Sequence, residues 1–190
     1  MTQPQAALAQ PLVWVDLEMT GLDPTGDVIL EIAVIVTDGQ LEQVIEGPDL
    51  VIHQPEAALQ GMADVVARMH AGSGLTEAVR ASQTSVAAAE RQVLDFIRGY
   101  VPEARTAPLA GNSVHADRAF LVAYMPDLEA YLHYRNVDVS TLKELARRWR
   151  PDALASVPRK TGGHRALADI RESIDEVRHY RTMLFGGHGS

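Results

Sequence analysis

The chain has 190 residues, no cysteine and a formal net charge of −8 at neutral pH. That length suits one domain with a substantial core, while the lack of cysteine excludes disulfides and thiolate metal sites and suits a reducing cytoplasm, the location expected here. The negative charge speaks against a protein that coats long nucleic acid, no window is long and apolar enough for a membrane span, and MTQPQAALAQ (1–10) lacks the regions of a secretion signal.

Residues 1–10 read as a flexible arm, 11–183 as a single domain and 184–190, ending GGHGS, as a flexible tail. LVWVDL (12–17) reads as a first strand and TGLDPTGD (20–27) as a turn. VILEIAVIVTD (28–38) is rich in β-branched residues, and Asp38-Gly39 signals a hairpin into LEQVIEGPDLVIH (41–53), so the first three strands form an antiparallel meander. From Pro55 to Tyr100 the pattern turns helical, with Ser85 as N-cap of SVAAAERQVLDFIRGY (85–100). APLAGNS (107–113) is a short strand, HADRAFLVAYM (115–125) a helix and HYRNVDV (133–139) another strand. Ser140 is expected to cap helix STLKELARRWR (140–150), closed by Pro151, and PDALASVPRKTGG (151–163) to be a loop. A long amphipathic helix is expected from His164 to Phe185. Three antiparallel strands followed by strands alternating with helices predict a mixed α/β domain.

The charges divide unevenly. Residues 1–134 hold 6 Lys/Arg against 18 Asp/Glu, and residues 135–181 hold 11 against 7. An acidic half could hold cations and a basic half phosphates; a solvated surface with basic helices would look the same.

The first strand carries Asp16 and Glu18 within an apolar run. Side chains alternate along a strand, so both carboxylates project to one side about 7 Å apart. At that separation they repel by roughly 2–3 kcal/mol at an effective dielectric near 20, and burial adds desolvation. Either basic side chains pair them or a divalent cation binds between them; carboxylate oxygens are preferred ligands of Mg²⁺ and Mn²⁺. Asp117 falls near a helix start just after a strand end, where α/β sheets place ligands, although a first-turn acid is also favoured by the helix dipole alone. His164 and Asp169 lie five apart on the expected last helix, about 140° around its axis, able to border one cleft. Four carboxylates would suit a two-cation site clamping a phosphodiester, with a neutral imidazole to accept a proton from the attacking water. Replacing Asp117 by Ala is then expected to leave folding intact, or to stabilise the metal-free chain by relieving repulsion.

D-x-E in "WVDLEMT", N-x₄-D in "NSVHAD" and H-x₄-D in "HRALAD" resemble the three motifs of the DEDDh 3′→5′ exonucleases. Within that family, "WVDLEMTGLDP", "MHAGSGL", "GNSVHADRAFL", "HYRNVDVSTLKELARRW" and "HRALADIRESIDEVRHYR" are similar to the oligoribonucleases, over about residues 12 to 182. The resemblance implies an RNase H-like fold, a homodimer, and trimming of very short RNA, dinucleotides especially, to mononucleotides. It implies that Asp16, Glu18, Asp117 and Asp169 hold two Mg²⁺ or Mn²⁺ ions and that His164 is general base. It further implies that Leu22 wedges between two bases, that His70, Ser113, Ser140 and Thr141 bind the substrate's 5′ phosphate, and that Tyr134 and Arg135 reach the partner subunit's active site. From sequence alone, Leu22 fits a core position as well as a wedge, and Tyr134 reads as a core strand residue. One departure stands out: many family members carry Trp near the position of Val65, which puts part of the base stacking in doubt.

A related DEDDh exonuclease acting on longer RNA or DNA ends would be expected to lack "HYRNVDVSTLKELARRW". A non-catalytic RNase H-like module would be expected to have lost one of the five site residues, and a phosphomonoesterase would release inorganic phosphate.

Overall fold

The computed structural model describes residues 8–158 and 163–186. In chain order these form β1 (Leu12–Met19), β2 (Ile29–Thr37), β3 (Val44–Val51), α1 (Glu56–Gln60), α2 (Asp64–Gly72), α3 (Leu75–Ala81) and α4 (Val86–Tyr100). There follow β4 (Pro108–Gly111), α5 (His115–Tyr124), α6 (Pro126–Tyr131), β5 (His133–Asp138), α7 (Val139–Trp149), α8 (Pro151–Ala155) and α9 (Ala166–Phe185). The strands make one sheet ordered β3-β2-β1-β4-β5. β1, β2 and β3 pair antiparallel, while β4 pairs parallel with β1 and β5. This is the mixed α/β arrangement that the spacing of strands and helices predicts.

The two-residue period of β1 separates the two layers. Val13, Val15 and Leu17 point to one face, where they join a core with Val93 and Ile97 of α4 and Phe120 and Leu121 of α5. Trp14 points to the other, with Ala146 of α7 and Ile170, Ile174 and Tyr180 of α9. β2 is buried at all nine positions, because helices cover both faces of its part of the sheet. The Trp14 indole N–H is satisfied inside the protein by Thr37 Oγ1 at 3.0 Å. On β3, a side chain at Gly47 would put its Cβ 2.3 Å from the Phe96 ring, so α4 lies directly on that strand.

Several local expectations change. Asp138, not Ser140, caps α7: its carboxylate accepts the Ser140 N–H at 2.9 Å, and the Ser140 hydroxyl is used elsewhere. Pro151 starts α8 inside the expected loop, since proline is tolerated in a first helical turn. The last helix begins at Ala166, because His164 has φ 46° and Arg165 is extended; His164 is therefore not on the same helix as Asp169. Leu8 is buried and Ala9 C=O accepts the Gly39 N–H at 2.9 Å, so residues 8–10 belong to the domain rather than to the arm expected over 1–10. α9 likewise takes residues 184 and 185 from the expected tail. Residues 1–7 of the expected arm, residues 159–162 and residues 187–190 of the expected tail lie outside the described residues. Among the described residues no helix is long and apolar enough to cross a membrane.

Candidate active site

Asp16 and Glu18 continue the face of β1 that Trp14 begins, the face covered by α9. Asp169 comes to them from the first turn of α9. One carboxylate oxygen from each of Asp16, Glu18 and Asp169 lies within 4.8 Å of the others. The β1–β2 register shifts between Glu18 and Met19, where Leu30 of β2 is the extra residue, a device that often re-aims side chains beside a site.

Asp117 approaches from the opposite layer. No β4 residue pairs with β1 beyond Trp14, and the Leu17 N–H is received by Asp117 Oδ1 at 3.0 Å. This acid thus takes the place of a strand partner, and it stands outside the three-carboxylate group. It still acts on that group. Burial, then the charges of Asp169, Glu31 and Asp117, push the Glu18 carboxyl up to about 7, against the pull of Arg165. Burial also pushes Asp117 up to about 7, although the Leu17 N–H favours its ionised form. Two acids kept from ionising by their surroundings are what a cation would relieve, and an all-oxygen donor set fits a hard divalent ion.

A pair of residues not singled out from sequence supports this centre. Glu31 lies opposite Glu18 in the β1–β2 register and is fully buried. It accepts from Arg165 Nε and Nη2 at 2.8 and 2.5 Å and from the Ala166 N–H at 3.1 Å. The hydrogen bonds of Arg165 thereby go to Glu31, its charge reaching Glu18 only through space, and the backbone immediately after His164 is anchored to the sheet. His164 itself is exposed.

Ser113, Ser140 and Thr141 line one groove of about 360 Å³ together with His115, Asp138 and Arg148. Ser140 Oγ accepts the Ser113 N–H at 2.8 Å and lies 2.9 Å from Ser113 Oγ. His70, expected with them, is placed apart from this groove and is fully buried. Its Nε2 lies 2.9 Å from the Met19 carbonyl, which can only accept, so that nitrogen carries a proton. Its Nδ1 has no hydrogen-bond partner and lies 3.8 Å from Glu18 Oε2.

Leu22 is 78% exposed, which removes the core alternative. The Asp27 carboxylate accepts from Thr20 Oγ1 and the Asp23 N–H beneath Gly21, where a Cβ would come 2.3 Å from Asp27 Oδ2. The turn therefore closes on Asp27 and leaves Leu22 outside. Tyr134 is 73% exposed rather than in the core, with the Arg135 guanidinium 5.3 Å from its ring centre. Val65 is exposed on α2, so that position contributes nothing to the core.

An exonuclease family model (RNase_T) matches residues 13–177. An oligoribonuclease from Halorhodospira halophila is 60% identical over 170 residues, 90% of this chain and 92% of that one. The chain belongs to the oligoribonuclease family of exonucleases. A second oligoribonuclease, from Marinobacter nauticus, is 56% identical over 174 residues, 92% of this chain and 96% of that one. Among solved structures, exonuclease I from Methylocaldum szegediense is similar with a TM-score of 0.67 at 20% identity, covering 93% of this chain and 41% of that one. E. coli exonuclease I in complex with a dT13 oligonucleotide gives 0.67 at 18%, covering 93% and 42%. The chain spans about two-fifths of those two structures, and the likeness shows that its sheet and helices have the RNase H-like exonuclease fold.

Proposed function

We propose that the chain is a 3′→5′ exoribonuclease that hydrolyses short oligoribonucleotides, dinucleotides above all, to 5′-mononucleotides. The observation that carries this reading is the convergence of Asp16, Glu18 and Asp169 within 4.8 Å in a chain 60% identical to an oligoribonuclease. In this reading Asp16, Glu18, Asp117 and Asp169 would hold two divalent cations, Mg²⁺ or Mn²⁺. Bound there, the ions would polarise the scissile phosphodiester and offset charge building on the attacking and leaving oxygens.

The chain's own groups supply the rest. His164 accepts the proton of the attacking water on an imidazole nitrogen; its exposure leaves that nitrogen within reach of solvent, and Arg165 and Ala166 tether it to Glu31. Leu22 inserts between the two bases. Ser113, Ser140 and Thr141 hold the terminal 5′ phosphate in their groove, and Tyr134 and Arg135 complete the site of the partner protomer in a cytoplasmic homodimer. His70 supports the backbone at Met19, beside Glu18. The single domain, from Leu8 to the end of α9, is the working unit. The length preference follows from charge: a chain at −8 has little means of holding the many phosphates that give long strands their affinity.

A length series of labelled RNAs of two to seven nucleotides, digested with Mg²⁺ and with chelator, tests the reading. Mononucleotides released fastest from the dinucleotide, and no cleavage in chelator, are expected. Rates rising with length, or inorganic phosphate as product, would overturn it.

A further inference from the structure

Glu176 sits on α9 and is 2% exposed, outside the three-carboxylate group. A buried carboxylate needs donors. The Tyr180 hydroxyl donates to it at 3.2 Å and Asn112 Nδ2–H at 3.3 Å, and Lys143 Nζ lies 3.9 Å away. Asn112 immediately precedes Ser113, in the strand-to-helix turn that opens the groove. Its Nδ2 also donates to Ser173 Oγ at 2.8 Å, and Ser173 spends its own proton on the Asp169 carbonyl at 2.8 Å. On the other side, Asn112 Oδ1 accepts from Ser140 Oγ at 3.3 Å. The hydrogen bonds thus run without a break from Glu176 in the core, through Asn112, to Ser140 and Ser113 at the mouth of the groove.

A carboxylate cannot donate, and the Ser173 oxygen has no proton left to offer. The Asn112 amide therefore has one orientation, with its NH₂ toward α9 and its oxygen toward Ser140. That orientation fixes which way the Ser140 hydroxyl points, and with it the Ser113 hydroxyl 2.9 Å away. We infer that Glu176 and Asn112 are positioning residues: Glu176 orients the Asn112 amide, which sets the Ser113–Ser140 pair that grips the substrate's 5′ phosphate. This rests on the groove reading proposed above. Neither residue touches substrate.

The test is steady-state kinetics of the full-length protein on matched dinucleotides with and without a 5′ phosphate. Glu176→Gln keeps the shape but allows the amide to turn; it should raise KM for the phosphorylated dinucleotide roughly three- to tenfold, about the loss of one hydrogen bond. The kcat, and both constants on the unphosphorylated dinucleotide, should stay within about twofold of wild type. Asn112→Ala should do the same and serves if Glu176→Gln fails to fold, and the double variant should be no worse than Asn112→Ala alone. Equal losses on both substrates, or no change on either, would overturn the inference. Ser113→Ala separates the two levels. If it too fails to discriminate the substrates, the groove reading falls and the inference with it; if it discriminates while Glu176→Gln and Asn112→Ala do not, the inference alone falls.

Discussion

Asp117→Asn in the metal-free protein separates charge from hydrogen bonding. Burial moves this carboxyl from 3.8 to about 7. The folded group keeps its proton at pH values where the unfolded group has lost it. The contribution of this group to stability is therefore greatest below pH 3.8, falls as pH rises to about 7 and is level above. At about 1.4 kcal/mol for each pH interval, the ionised carboxylate costs the folded state about 4 kcal/mol above that window. Asparagine cannot ionise, yet it keeps an oxygen for the Leu17 N–H. Because Glu18 is raised partly by Asp117, the two groups titrate together and the substitution relieves Glu18 as well, so the gain stays at about 4 kcal/mol. Urea unfolding in chelator should show Asp117→Asn more stable than wild type by that amount at about pH 8.5, and within about 0.5 kcal/mol of it at about pH 4. Asp117→Ala should recover less, since it orphans the Leu17 N–H at a cost of about 1–3 kcal/mol; the relief expected from sequence is thereby partly offset. Added Mg²⁺ should stabilise wild type more than either variant, since both keep Asp16, Glu18 and Asp169 but lack the Asp117 carboxylate. An Asp117→Asn protein less stable than wild type at the higher pH, or favoured equally at both, would refute the reasoning.

His164→Ala should lower kcat by about 10²- to 10⁴-fold while leaving the Mg²⁺-induced rise in unfolding temperature unchanged; loss of that rise would make His164 a cation ligand instead. Leu22→Ala and Tyr134→Ala remove side chains 78% and 73% exposed, so urea stability should hold within about 0.5 kcal/mol while dinucleotide cleavage falls. Mixing inactive Tyr134→Ala with inactive Asp16→Asn should restore cleavage, because a mixed dimer has one complete site; no recovery would count against a shared site. Arg165→Ala leaves fully buried Glu31 with the Ala166 N–H, and should cost roughly 2–4 kcal/mol in urea unfolding, below the range for fully buried pairs because the guanidinium is partly wet.

Much of this site was legible in the chain because its residues break local rules. Asp16 and Glu18 interrupt an apolar strand, and the break marks the place where the covered face of β1 gives way to the three-carboxylate group. Glu31 interrupts β2 in the same way, but its partner Arg165 lies 134 residues away, and sequence offers no local cue to join them. The sequence puts the start of the last helix two residues early because glycine at 163 and a polar run look like an N-terminus, and nothing in a histidine announces φ 46° at His164. Asp138 and Ser140 are both good capping residues; Asp138 prevails because the end of β5 also aims it at the Ser113 N–H at 2.9 Å. Pro151 could close one helix or open the next, and the Arg150–Asp152 pair at 2.8 Å favours opening. The exposure of Leu22 depends on Asp27 filling the turn beneath it, which no pattern of apolar residues encodes.

Anomalous scattering from crystals grown with Mn²⁺ bears most directly on the claim that acids from β1, α5 and α9 converge to hold cations. The account predicts density within about 2.0–2.6 Å of oxygens from Asp16, Glu18 and Asp169, with Asp117 drawn into the same centre. Carboxylates pointing apart with no anomalous peak between them, at saturating Mn²⁺, would contradict it.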